Sequence, residues 1–171
     1  DLILFETIQD TRNLKAAYLG LEKAMDENYY VPLMLSFTIE STGTTLAGQT
    51  ADAFYYAVHH MNPLSVGLNC ATGPEFMTQF LKKLNEVSNT YISVYPNAGL
   101  PNKEGQYEET PSTLAAKIEP FFQNKFLNIV GGCCGTTPAF IKAIKDKSIG
   151  YDPRVIDENK NENSVTGLIT L

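Results

Sequence analysis

Long apolar runs are missing from this sequence, as is any concentration of positive charge. No stretch approaches the roughly 20 apolar residues that a membrane span needs, so a membrane partner is not expected. With Lys and Arg numbering 13 against 19 Asp and Glu, the formal net charge is −6. Without a basic cluster to meet phosphates, nucleic acid is not expected as a partner either. No basic segment precedes a long apolar core, the pattern of a secretory signal. An even set of cysteines is also lacking. There are three, Cys70, Cys133 and Cys134, and two are adjacent. A secreted disulfide framework would show an even number in so short a chain, so reduced thiols in a cytoplasmic setting are expected.

What is present is a globular composition, 43% hydrophobic in 171 residues, enough for one domain with a sizeable core. Five short apolar runs read as strands buried on both faces: Leu2–Phe5, Pro32–Phe37, Ser65–Leu68, Tyr91–Tyr95 and Leu127–Val130. Helical stripes lie between them. Leu14, Ala17, Tyr18, Leu21 and Met25 form one; Phe76, Phe80, Leu81, Leu84 and Val87 another. Leu114, Ile118 and Phe121 form a third, Phe140, Ile141 and Ile144 a fourth, and the segment 50–60 also reads as helical. Thr110-Pro111 and Thr137-Pro138 place a capping hydroxyl ahead of a first-turn proline.

Alternating strands and helices imply parallel β/α units, which fit either a doubly wound sheet or a (β/α)8 barrel. The polar residues favour the barrel. Glu6, Asn69-Cys70, Asn97 and Cys133-Cys134 all fall where a strand gives way to its loop, and barrel strand ends converge on one face. Five units cannot close eight strands. Together with a first segment that reads as strand from Asp1, this predicts an α/β chain of TIM-barrel type holding strands 4–8 of a longer protein. Residues 1–150 are expected to form this part of the barrel and 151–171, which turn polar, an exit linker. Open edges predict self-association of the isolated chain.

An internal echo singles out the cysteines. Cys70-Ala-Thr72-Gly-Pro74-Glu-Phe76 and Cys134-Gly-Thr136-Thr-Pro138-Ala-Phe140 share the pattern C-x-T-x-P-x-F. Each follows a strand and opens a helix, where the helix end is expected to favour thiolate, and Gly131-Gly132 is expected to let the backbone turn toward a common centre. Three thiolates suit Zn²⁺, with a fourth position left for a thiol substrate. His59 and His60, consecutive on a helix, point different ways and do not suggest a shared site.

Gly67-Leu68-Asn69-Cys70 with Gly131-Gly132-Cys133-Cys134-Gly135-Thr136 resembles the signature of the homocysteine S-methyltransferase family. Tyr95-Pro96-Asn97-Ala98-Gly99-Leu100-Pro101-Asn102, Phe5-Glu6-Thr7 and Leu46-Ala47-Gly48-Gln49-Thr50 resemble its cobalamin-dependent methionine synthase branch, and Val165-Thr166-Gly167-Leu168 the link into a folate domain. The resemblance implies zinc-dependent methyl transfer to the thiol of homocysteine, giving methionine. Cys70, Cys133 and Cys134 would be the metal and catalytic ligands. Glu6 would meet the substrate ammonium, with Asn69 and Asn97 as further substrate contacts. Cobalamin and methyltetrahydrofolate would be carried by other domains of the parent chain. Three alternatives remain open: another methyl donor such as betaine or S-methylmethionine, a zinc- or thiol-binding module without catalysis, and a vicinal-thiol redox sensor.

Overall fold

The structure is a computed structural model that describes residues 1–25, 30–157 and 166–170. The polar stretch after Asp157, and Val165 of the tail motif, lie outside the described residues. Five strands, β1 (Ile3–Ile8), β2 (Leu33–Phe37), β3 (Ser65–Asn69), β4 (Tyr91–Tyr95) and β5 (Ile129–Val130), form one sheet. The helices are α1 (Thr11–Ala24), α2 (Ala51–Val58), α3 (Pro74–Val87), α4 (Pro111–Gln123) and α5 (Pro138–Ser148), with a 3-10 turn at His59–Met61.

All pairings within the sheet are parallel and the strand order is the chain order, β1-β2-β3-β4-β5. A doubly wound sheet reverses its order at a switch point. Here there is no reversal, and right-handed crossovers then lay every helix on the same face. That is the winding of a (β/α)8 barrel, five units long. The outer strand residues Leu35, Phe37, Val66, Leu68, Ile92 and Val94 pack with Phe54, Leu81, Leu84, Leu114, Ile118 and Phe121 in one core. Phe37 and Phe54 stack with ring centroids 3.9 Å apart.

The inner face is different in kind. Ser36, Gly67 and Ser93 stand in register across three strands, followed one step up by Asn69 beside Tyr95. Small side chains there let the sheet curl. The step up carries the polar groups toward the strand ends.

Several sequence expectations need correction. The first strand does not stop at Phe5 but runs to Ile8, so Glu6 sits within β1 and not at its end. Nor is β1 buried on both faces: Leu2 and Leu4 are exposed and only Ile8 is buried, because β1 is an edge strand with no neighbour on one side among the described residues. The last strand shrinks to Ile129–Val130. In α5, Ile141 of the expected stripe is exposed. Thr110 caps α4 as expected, accepting from the Thr113 N–H, whereas the Thr137 hydroxyl makes no cap bond to α5.

After α5 the chain returns to the start of β5, where the Arg154 N–H donates to the Leu127 carbonyl at 2.9 Å. Arg154 is buried and donates to the Asn85 side chain and to the carbonyls of Thr90 and Ser88. Residues 166–170 lie against the loop before α2, where the Leu168 carbonyl accepts from the Thr50 N–H at 2.9 Å and the Gly167 carbonyl from Gln49 Nε2 at 3.2 Å. No helix among the described residues is long and apolar enough to cross a membrane.

Candidate metal centre

β3 ends at Asn69, and the next two residues leave the sheet through left-handed backbone, φ 54° at Cys70 and 56° at Ala71. For residues with a Cβ this conformation costs about 1–2 kcal/mol each, and the surroundings must hold it. The Cys70 N–H is fixed to the Tyr95 carbonyl at 3.1 Å, and the Thr72 N–H closes back on the Cys70 carbonyl at 2.6 Å. Cys70 is thereby turned from the sheet direction toward the loop after β5.

That second loop is held by the end of β4. The Cys133 N–H donates to the Pro96 carbonyl at 2.9 Å, the Ala98 N–H to the Cys134 carbonyl at 2.9 Å, and the Cys134 N–H to Asn97 Oδ1 at 3.1 Å. The glycines act through space more than through turning. A Cβ on Gly131 would come 2.8 Å from Cδ1 of Tyr95, so the backbone approaches that ring only without a side chain. Left-handed φ is found instead at Gly135, 79°, where a Cβ would also overlap the Tyr107 ring.

The outcome is three free thiols in one place. Cys70 Sγ lies 3.4 Å from Cys134 Sγ, Cys133 Sγ lies 3.9 Å from Cys134 Sγ, and all three sulfurs are within 4.8 Å of one another. A tetrahedral zinc with bonds of about 2.3 Å holds its sulfurs about 3.8 Å apart, so this cluster fits that ion with little movement. Among the described residues it is the one grouping of three His, Cys, Asp or Glu side chains fit to hold a metal. Cys70 and Cys133 are half-buried and Cys134 is exposed, which leaves an approach from the solvent side.

Asn69 binds the cluster to the sheet. Its Oδ1 accepts from the Thr7 N–H at 3.1 Å and the Ser36 hydroxyl at 2.7 Å. Its Nδ2 donates to the Thr7 hydroxyl at 2.9 Å and reaches Cys133 Sγ at 3.9 Å. An amide has two acceptor and two donor positions, and all are engaged within the protein. Thr7 is itself left-handed, φ 56°, at a break in the β1–β2 register. Asn69 and Asn97 thus both face the cysteine loops.

Glu6, one residue before that break, is exposed. Phe5 packs into the helix-side core, which puts its neighbour Glu6 on the inner face. There its charge joins burial in raising the Tyr95 pKa above the usual range. His59 and His60 lie in the turn after α2, ahead of β3, at the opposite end of the sheet from the thiols. Sequence reasoning did not single out Thr7, Ser36, Tyr95 or Tyr107. Tyr107 could have been suspected only from its place in the long segment between β4 and α4.

The expectation that helix ends would favour thiolate fails for Cys70. Its pKa is pushed up to about 12, first by burial and then by the Cys133 and Cys134 groups beside it. The helix starts at Pro74, and the field of a helix end fades within a turn. Without a cation, then, Cys70 holds its proton. A thiol whose folded pKa exceeds its unfolded value near 8.5 stabilises the fold fully below that value and loses its contribution as pH rises toward the folded one. The metal-free chain should therefore lose stability between about pH 8.5 and 12, read as a falling urea midpoint. Cys70→Ser should flatten that part of the profile; an unchanged slope would assign the loss to other groups. A thiolate-binding metal reverses the dependence, since it must displace these protons.

The sequence profile described as homocysteine S-methyltransferase matches residues 1–148. Among solved structures, the metallated form of the homocysteine methyltransferase MmuM from Escherichia coli is 26% identical, with a TM-score of 0.69. The match covers 86% of this chain and 45% of that one. Its apo form gives 25% identity and a TM-score of 0.66, covering 86% of this chain and 49% of that one. The chain spans about half the length of these structures. With a profile match across nearly its whole length and the cysteine loops placed together, the chain belongs to the homocysteine S-methyltransferase family.

Proposed function

We propose that this chain supplies the zinc and homocysteine side of a methyl transfer that yields methionine, in a protein of the cobalamin-dependent methionine synthase kind. The observation that carries the reading is the cluster of three thiols at the ends of β3 and β5. Zinc, when bound, would act as a Lewis acid that lets a substrate thiol lose its proton near neutral pH. Cys70, Cys133 and Cys134 would hold it, with the solvent side left for homocysteine sulfur. The substrate's sulfur lone pair forms the new S–CH₃ bond as the donor's bond to that methyl breaks.

In this reading Glu6, exposed on the inner face, pairs with the substrate ammonium. Asn69 and Asn97, expected from the resemblance as substrate contacts, act in this reading chiefly by fixing the cysteine loops, since their amides are turned to Cys133 and Cys134. The run from Tyr95 to Asn102 favours methylcobalamin over betaine or S-methylmethionine as donor. Cobalamin and methyltetrahydrofolate would be presented by other domains of the parent chain, with residues 151–171 leading toward them. Free thiols at the centre suit a reducing, cytoplasmic compartment.

The full-length protein supplied with homocysteine should make methionine from methylcobalamin and not from S-methylmethionine; the opposite preference would overturn the donor assignment. Glu6→Gln should leave zinc in place and raise the homocysteine dissociation constant about ten- to a hundredfold, the loss of one charge-assisted contact. Normal binding by that variant would remove Glu6 from the pocket. The isolated chain, with β1 and β5 as open edges and Leu2 and Leu4 exposed, should associate in solution. Light scattering showing a stable monomer would contradict this.

A further inference from the structure

Thr7 adopts a backbone conformation that its side chain disfavours. Its φ is 56°, in the left-handed region, where a β-branched residue is an outlier and glycine the usual occupant. Such strain persists only where the surroundings hold it, and it gathers at functional sites. What Thr7 touches therefore matters.

The strain has its origin in the pairing of β1 with β2. Phe5 stands opposite Leu35 and Ile8 opposite Phe37, so β1 takes three steps where β2 takes two. One residue is extra, and the strand bulges. In a regular strand Glu6 and Thr7 would face opposite sides of the sheet. Across the bulge both serve the inner face, Glu6 with an exposed carboxylate and Thr7 through Asn69.

Asn69 is buried at the end of β3, and Thr7 grips its amide twice. The Thr7 N–H donates to Oδ1 at 3.1 Å, and Nδ2 donates to the Thr7 hydroxyl at 2.9 Å. A backbone N–H can only donate, so the atom facing it is the amide oxygen, and the two ends of the amide are thereby distinguished. The buried Ser36 hydroxyl adds a second donor to that oxygen at 2.7 Å. With one N–H of Nδ2 spent on the Thr7 hydroxyl, the other is left for Cys133 Sγ, 3.9 Å away.

We propose that Thr7 is a positioning residue of the metal centre, orienting the Asn69 amide from the bulge in β1 so that one N–H points at the Cys133 sulfur. Thr7 acts through Asn69 and does not itself touch the metal. The proton stays on the amide nitrogen. Glycine would relieve the backbone but would lack the hydroxyl that directs the amide. This rests on the proposed zinc site. Outer-shell hydrogen bonds to metal ligands carry about 10- to 100-fold in metal affinity or activity.

The test uses the full-length protein, with zinc affinity measured by chelator competition and the urea midpoint of each zinc-free variant as a check on folding. Thr7→Ser keeps the hydroxyl and should match the wild type. Thr7→Val keeps the shape without the hydroxyl and should bind zinc about tenfold more weakly. Thr7→Gly also lacks the hydroxyl but relaxes the backbone, so it should keep its fold and show the same weakening. Beside Asn69→Ala, Thr7→Val should cost no further affinity, because its effect passes through that amide. Normal affinity in either hydroxyl-free variant, a Thr7→Ser protein as weak as Thr7→Val, or a Thr7→Val loss that persists beside Asn69→Ala would overturn the proposal. Failure of the wild-type protein to take up zinc would instead overturn the metal reading, and this proposal with it.

Discussion

The end of β4 is the constraint on which the site depends. Its last carbonyl, at Tyr95, holds the Cys70 N–H, while the next three residues hold the other loop through Pro96, Asn97 and Ala98. Cys70 and Cys133 are far apart in sequence, and each loop alone would be free to point its thiol elsewhere. Joined to the same strand end, they converge. The arrangement is backbone to backbone in three of its four bonds, so its geometry depends mainly on the parallel register of β3, β4 and β5.

Electrostatics gives the convergence its chemical meaning. Half-buried and set against two further sulfurs, the Cys70 thiol resists ionisation without a cation. Two left-handed residues after β3 and another at Thr7 add local strain. An arrangement that costs free energy in backbone and in solvation, yet is assembled from the loops after β3 and β5, is suited to a partner that recovers that cost. A divalent, thiol-seeking ion is such a partner. The solvent-facing side of Cys134 leaves room for a fourth ligand.

Much of this could be read from the sequence because the signals were local. Parallel β/α alternation was visible in short apolar runs separated by amphipathic stripes, and the paired C-x-T-x-P-x-F segments marked both metal loops. What could not be read depends on position in the sheet. Leu4 and Glu6 belong to a strand whose burial is decided by the absence of a neighbour along its free edge. Asn69 looked like a pocket residue because it follows an apolar run. Only the register against Ser36 and the break at Thr7 show that its amide is consumed within the protein. Tyr107 lies in a segment without periodicity, and its relation to Gly135 is a contact across 28 residues that no local pattern encodes. The glycines before Cys133 were correctly noticed, but their reason is close approach, of Gly131 to the Tyr95 ring and of Gly132 to the Thr136 side chain, and not a turn.

The central claim is that Cys70, Cys133 and Cys134 together bind one zinc ion and leave one position exchangeable. X-ray absorption on the zinc-loaded full-length protein tests it most directly. The account predicts three sulfur neighbours at about 2.3 Å and one lighter neighbour, with a fourth sulfur replacing the lighter one on addition of homocysteine. Cys70→Ser should lower the sulfur count by one. A sulfur count that Cys70→Ser leaves unchanged, or a zinc site without sulfur, would contradict the account.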